Sequence, residues 1–261
     1  MRSITPRALG AALLSVGLFA APAAAAPASE AFAAGRWEEA AALGRKGEAA
    51  ADRIAEARAL SVIATYQVTD KARARALLEQ AIAATDAAVA AEPMNMRARL
   101  ERAIVTGYLG KLKGSAGNAR AARRDVETVL AREPDNALAH AILGGWHGET
   151  VATVGPFLAR TAVGARKEEC IRHFDRAIAL DGGSVLYPVF YAFTLLALDP
   201  RNAPKAESLL ARADRNRPAD AYERLVQANG REVLAVLRSR DPARAAALAR
   251  RLSPLGTIRA G

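Results

Sequence analysis

The chain has 261 residues, 65 of them alanine, with 37 basic against 27 acidic side chains and a formal charge of +10. Alanine is the strongest helix former and a weak strand former, so this composition excludes most all-β folds, and an apolar half sets the chain apart from disordered sequences. A single cysteine excludes an intramolecular disulfide and any Cys-rich zinc or iron–sulfur site.

Residues 1–25 read as a secretory signal peptide. Arg2 and Arg7 make a positive start, and residues 9–21 form an apolar run of 13, short of the ~20 that a membrane-spanning helix needs. Pro22 ends the run, and Ala23-Ala24-Ala25 supplies the small-x-small cleavage pattern, with cleavage expected before Ala26. Loss of both arginines would lower the charge from +10 to +8. No other segment reaches spanning length. The expected location is periplasmic or secreted. There a basic surface meets anionic lipid or envelope polymers, and no nucleic acid.

One spacing then recurs four times: a small residue, followed by positions four, seven and twelve further on. The sets are Ala81, Thr85, Ala88, Pro93; Ala122, Val126, Val129, Pro134; Cys170, Phe174, Ala177, Gly182; and Ala206, Leu210, Ala213, Pro218. The first three members of each set share one helix face, and the fourth is a helix-ending residue. Each such helix follows another that carries a matching small residue: Ala64, Ala103, Gly144 and Ala192 in turn. Two antiparallel helices approach closely only where neither carries bulk.

With Leu143-Gly144 on the preceding helix, and Gly35-Arg36-Trp37-Glu38-Glu39-Ala40 as a turn into a second helix, the pattern resembles the tetratricopeptide repeat. The closing positions lie 41, 48 and 36 residues apart, so the repeats are irregular. The surplus falls in residues 111–118, expected as a Gly-rich loop, and in an insertion over residues 153–166. The third and fourth units, with GGWHGE, that insertion and the FDRAIALDGG ending, also resemble the helical-repeat domain of the regulator-of-microtubule-dynamics family. Beyond Pro218, apolar spacing on either side of Asn229-Gly230 and a helix opened by Asp241-Pro242 read as a cap for the exposed end.

The sequence therefore predicts an all-α, irregular tetratricopeptide-like α-solenoid over residues 26–218, capping helices over 219–252 and a flexible tail over 253–261. The resemblance to tetratricopeptide repeats implies a concave surface lined by Arg58, Ser61 and Thr65; by Arg97, Leu100, Ile104 and Tyr108; by Leu138, Ala141, Gly145 and Glu149; and by Leu186, Val189 and Phe193. Arg97, Leu100, Ile104, Tyr108, Trp146 and Glu149 are the candidate partner-binding residues, the partner being a protein or peptide of the cell envelope. The apolar end of that surface either lines a groove or docks the C-terminal helices. The alternative function is a small-molecule or lipid site near Trp146, with the 153–166 insertion as its lid.

Other constellations read as structure. Cys170, His173, His147 and His140 are soft and imidazole donors, but Cys170 occupies a helix-crossing position and the 23 residues between His147 and Cys170 match no usual ligand spacing. The expectation is no metal, no cofactor and no catalytic residue. Trp37 reads as core. The stretches KARAR (71–75), RAARR (120–124) and Arg250-Arg251 are either anion-facing patches or solvated helix faces.

Overall fold

A computed structural model describes residues 26–258; the expected signal peptide, residues 1–25, lies outside them. Among the described residues there are thirteen α-helices and no strand. They are α1 (Pro27–Ala33), α2 (Trp37–Lys46), α3 (Ala50–Val62), α4 (Lys71–Ala91), α5 (Met96–Lys113), α6 (Ala116–Leu130), α7 (Ala137–Val154), α8 (Pro156–Val163), α9 (Lys167–Leu180), α10 (Leu186–Leu198), α11 (Ala203–Arg215), α12 (Ala221–Arg238) and α13 (Pro242–Leu252). The pairs α3–α4, α5–α6, α7–α9 and α10–α11 stack as an irregular helical-repeat solenoid, with α12 and α13 following.

The recurring spacing falls on the second helix of each pair. Its twelve face positions, from Ala81 to Ala213, are each at most 2% exposed. That is the result expected of a stripe that faces a partner helix along its whole length. The turns between units repeat as well. Asn95 and Asn136 each cap the helix they open, accepting from the backbone N–H of Ala98 and Ala139 at 3.0 and 2.9 Å. Each asparagine also donates to the glutamate three residues before it, Glu92 and Glu133. The bonds from Ala98 and Ala139 satisfy helix-terminal donors that would otherwise be orphaned, and the glutamates hold the capping side chains in place.

Glycine sets the crossing of α7 with α9 and α10. A Cβ on Gly144 would lie 2.8 Å from the Phe174 ring, and one on Gly148 would lie 2.2 Å from Thr194 Cγ2 and 2.7 Å from Cys170 Sγ. Cys170 is thus opposed by Gly148, and Gly144 makes room for Phe174.

Two expectations are corrected, and the 153–166 insertion gains an internal structure. Residues 111–118 are not a Gly-rich loop: α5 continues to Lys113, α6 begins at Ala116, and the turn is Gly114 (φ +64°) and Ser115. Most of the surplus simply lengthens the two helices. The 153–166 insertion holds a helix of its own, α8, between Gly155 (φ +82°) and Gly164 (φ +75°). The guanidinium of Arg123 donates to the Val163 carbonyl at its C-terminal end. Finally, the tail is not free over residues 253–258; Leu255 is 8% exposed and packs into the core of the first unit.

The glycine crossing makes a prediction of opposite signs. Gly148→Ala should cost about 1–3 kcal/mol through overpacking, although alanine outranks glycine by ~1 kcal/mol in a free helix. Gly107→Ala, whose Cβ would find only Ala122 Cβ at 3.9 Å, should gain up to about 1 kcal/mol. Urea midpoints of the two variants should move to opposite sides of the parent.

Candidate functional site

The inner face of the first two units is built from α3, α5 and α12. Helix α3 ends in a π-helical turn over Ile63–Gln67, closed by Val68 N–H donating to the Ile63 carbonyl at 3.2 Å. Such turns leave backbone groups outside the usual ladder. Tyr66 of this turn meets Tyr222 of α12 edge-on, with ring centroids 6.1 Å apart, and Tyr108 of α5 completes the group. Burial, foremost, pushes all three phenols well above their ordinary range, and each is raised further by a neighbouring tyrosine.

A charged network lies beside the tyrosines. Glu101, buried on α5, pairs with Arg97 at 2.6 Å and with Arg58 at 3.6 Å. Arg58 also reaches Asp220 at 3.4 Å and lies 4.0 Å above the Phe32 ring. Arg58 therefore ties together α1, α3, α5 and the start of α12. The Arg224 guanidinium donates to the Ala33 carbonyl, so the first and last parts of the stack meet directly.

The C-terminal segment sits on this face. The Leu255 N–H donates to the Thr65 carbonyl in the π turn at 3.0 Å. The Leu255 side chain enters the same apolar cluster as Leu60, Ile63 and Leu109, and Ile258 packs against it. Leu255 has φ +67°, a conformation that costs a non-glycine residue of order 1–3 kcal/mol unless its surroundings hold it. Gly256 follows where a Cβ would strike the Arg250 carbonyl at 2.2 Å. A hydrogen-bonded turn of chain, with Gly256 N–H donating to Ser253 O and Ile258 N–H to Leu255 O, thus covers this face with one apolar anchor.

The six expected partner-binding residues divide. Arg97 is exposed but engaged with Glu101, Ile104 is half-buried, and Tyr108 belongs to the tyrosine group. Glu149 comes close to Tyr108 and pairs with Lys111 at 2.6 Å. Leu100 does not line a groove; it is fully buried in the core between α5, α6 and α7. Trp146 turns to α6, donating its indole N–H to the Ala119 carbonyl at 2.8 Å, with Arg123 stacked 5.3 Å from the ring centroid. The apolar end is no open groove either. Val189 and Phe193 are covered by α12 and α13, and Gly230 of α12 lets that helix settle against Val189.

Sequence reasoning missed Tyr66, Asp220 and Leu255 as members of this face. The aromatic beside Thr65 and a lone Leu-Gly after Ser-Pro were the available signals. Cys170 is buried and its thiol is pushed up to about 12, by burial first and then by Glu149 and Asp175. That is the behaviour of a packing residue and not of a nucleophile. Arg75 and Arg123, in two of the basic stretches, pair with Glu79 and Glu127 one turn on.

The family model described as regulator of microtubule dynamics protein 1-3 matches residues 53–238, from α3 to the end of α12. No curated protein sequence matches the chain.

All five tyrosines are raised above the ordinary phenol value, Tyr187 to about 12 and Tyr66, Tyr108, Tyr191 and Tyr222 well above that ordinary value. The unfolded chain releases these protons near pH 10 while the folded chain keeps them. Their contribution to stability is therefore complete below pH 10 and lost as pH rises above it. Phenolate absorbance at 295 nm should stay low at pH 10.5 and then appear together with loss of helical circular dichroism. In urea it should rise around pH 10. A phenolate rise near pH 10 with helix intact would contradict the burial of the tyrosine group.

Proposed function

Because the chain belongs to the regulator of microtubule dynamics protein 1-3 family, whose match spans the helical stack, we propose that it is a non-enzymatic scaffold of tetratricopeptide type. In this reading it is exported to the periplasm by residues 1–25, and its concave face receives a protein or peptide segment of the cell envelope. The family contributes the helical architecture; the partner class follows from the chain's own inner face.

The observation that carries the reading is the tail. Residues 253–258 cover the inner face with a short turn that offers one buried leucine and one backbone hydrogen bond to Thr65. This is the way a peptide is held when an apolar anchor gives affinity and main-chain bonds give register. A tethered occupant has an effective concentration in the millimolar range, so a partner must bind better than the tail or bind where the tail is withdrawn. Tyr66, Tyr108 and Tyr222 form the floor beneath such a segment, and the Arg58–Glu101–Asp220 network its polar edge.

A second reading has one observation in its favour. A half-open cleft of about 660 Å³ lies between α7, α8, α9 and the end of α10, walled by Val151, Phe157, Ala165 and Leu198 and rimmed by Arg160 and Lys167. Phe157 is 75% exposed. Apolar walls with a basic rim suit an anionic amphiphile. In that reading α8 is the lid and Trp146 a support behind it. Among the described residues no helix is long and apolar enough to cross a membrane.

The two readings separate in one set of experiments. A labelled peptide of residues 250–261 should bind the chain carrying Leu255→Asp and not the parent, and Tyr66→Ala in the same background should weaken it at least tenfold. That figure corresponds to the ~1.5–3 kcal/mol of one buried aliphatic side chain. No binding to the Leu255→Asp chain would contradict the scaffold reading. A small ligand retained in native mass spectrometry and lost in Phe157→Asp would favour the second.

A further inference from the structure

The chain has three histidines, and the fold brings them together. His140 and His147 lie two turns apart on α7, and His173 faces them from α9. The His140 and His173 rings are 5.1 Å apart between centroids, and those of His147 and His173 are stacked at 6.0 Å. Glu169 stands one turn before His173, with its Oε2 3.7 Å from His173 Nε2. The glycines at 144 and 148 permit this meeting, since they let α7 and α9 approach.

Hydrogen bonding fixes which nitrogens are available. His140 Nε2 is 2.9 Å from the Pro134 carbonyl, which can only accept, so Nε2 carries the proton. Arg172 donates to His173 Nε2, so His173 carries its proton on Nδ1 and donates it to His140 Nδ1, 2.8 Å away. The lone pair of His173 is left on Nε2, on the Glu169 side. His147 Nδ1 accepts a long 3.2 Å bond from the Arg166 N–H, which an ion bound at that nitrogen would displace. This relay, a carbonyl orienting one imidazole that orients the next, is the outer-shell arrangement that sets up a metal-ligating histidine.

We propose that His147, Glu169 and His173 form a site for a divalent transition-metal ion of the zinc class, with His140 as the positioning residue behind His173. One donor atom from each of the three ligands lies within 4.8 Å of the others. A tetrahedral zinc ion at 2.0–2.2 Å from its ligands needs them about 3.4 Å apart, so a small side-chain rotation closes the site. Three ligands leave the fourth position to water. His147 and His173 are buried while Glu169 is half-exposed, which gives the ion a path from solvent. The position between Glu169 and His173 already attracts a cation: the Arg172 guanidinium donates to Glu169 and, at 3.0 Å, to His173 Nε2. Arg172 has a side chain 60% exposed, so it can swing out and yield its place. Cys170, turned toward Gly148 and Thr194, is outside the set.

The test is zinc binding to the chelator-stripped chain by calorimetry. One equivalent should bind. Glu169→Gln and His173→Gln should each weaken it tenfold or more, Arg172→Ala should tighten it by removing the competing cation, and Cys170→Ala should leave it unchanged. Cobalt substituted for zinc should give visible d–d bands without thiolate-to-metal charge transfer. Binding that is not stoichiometric, that survives Glu169→Gln and His173→Gln, or that shows thiolate charge transfer would overturn the proposal. Should a glutamine variant fail to fold by circular dichroism, Arg172→Ala decides, because its side chain is exposed. Unchanged or weaker binding there would overturn the proposal as well.

Discussion

Helices in this protein come as close as their smallest facing side chains allow, and the rest of the structure follows from that. Where Gly148 faces Cys170 and Thr194, there is no room for a methyl group. The same economy of bulk appears at Ala64, Ala103 and Ala192, each at most 1% exposed. Alanine-rich helices bury little area per residue, so a stack made of them depends on close approach to gain dispersion contacts. Larger residues such as Phe174, Tyr191 and Leu210 fill the spaces that remain.

Close stacking has a consequence at the inner face. Side chains of α3 and α5 that point away from their partner helices present an apolar surface, and the protein covers that surface itself. Tyr222 comes from α12, Leu255 from the segment after α13, and Phe32 of α1 packs in the same cluster as Leu255. Contacts spanning most of the chain, such as Arg224 to Ala33 and Arg58 to Asp220, then join the two ends of the stack. A helical repeat usually needs a polar cap at each end. Here the ends cap each other in part, which is why the described tail residues are ordered by contact.

Much of this was legible in the sequence because it is periodic. The small-residue stripe and the helix-ending prolines are local, repeated signals, and every face position in the stripe is buried. The turn at Gly35, the opening of α13 at Asp241-Pro242 and the covering of Val189 and Phe193 by the C-terminal helices follow from the same local rules. What escaped was non-periodic. Tyr66 lies more than a hundred residues from Tyr222 and Leu255, and they meet only once the helices have stacked. Leu100 reads as groove-lining by register, yet it falls in the interface with the next unit, because the irregular spacing shifts how consecutive pairs overlap. The histidines showed the same limit. Glu169 is silent as a ligand in sequence, and the 23-residue gap from His147 to Cys170 concealed that α7 and α9 place His147 and His173 ring to ring.

The account rests on the inner face being occupied by the chain's own C-terminal segment, and one amide reports on that contact. The Leu255 N–H donates to the Thr65 carbonyl, so in native-state hydrogen exchange it should be protected by orders of magnitude, exchanging only as the segment opens. Exchange of that amide at the rate of a free peptide, with the amides of α3 and α5 still protected, would show the face to be uncovered and would contradict the account.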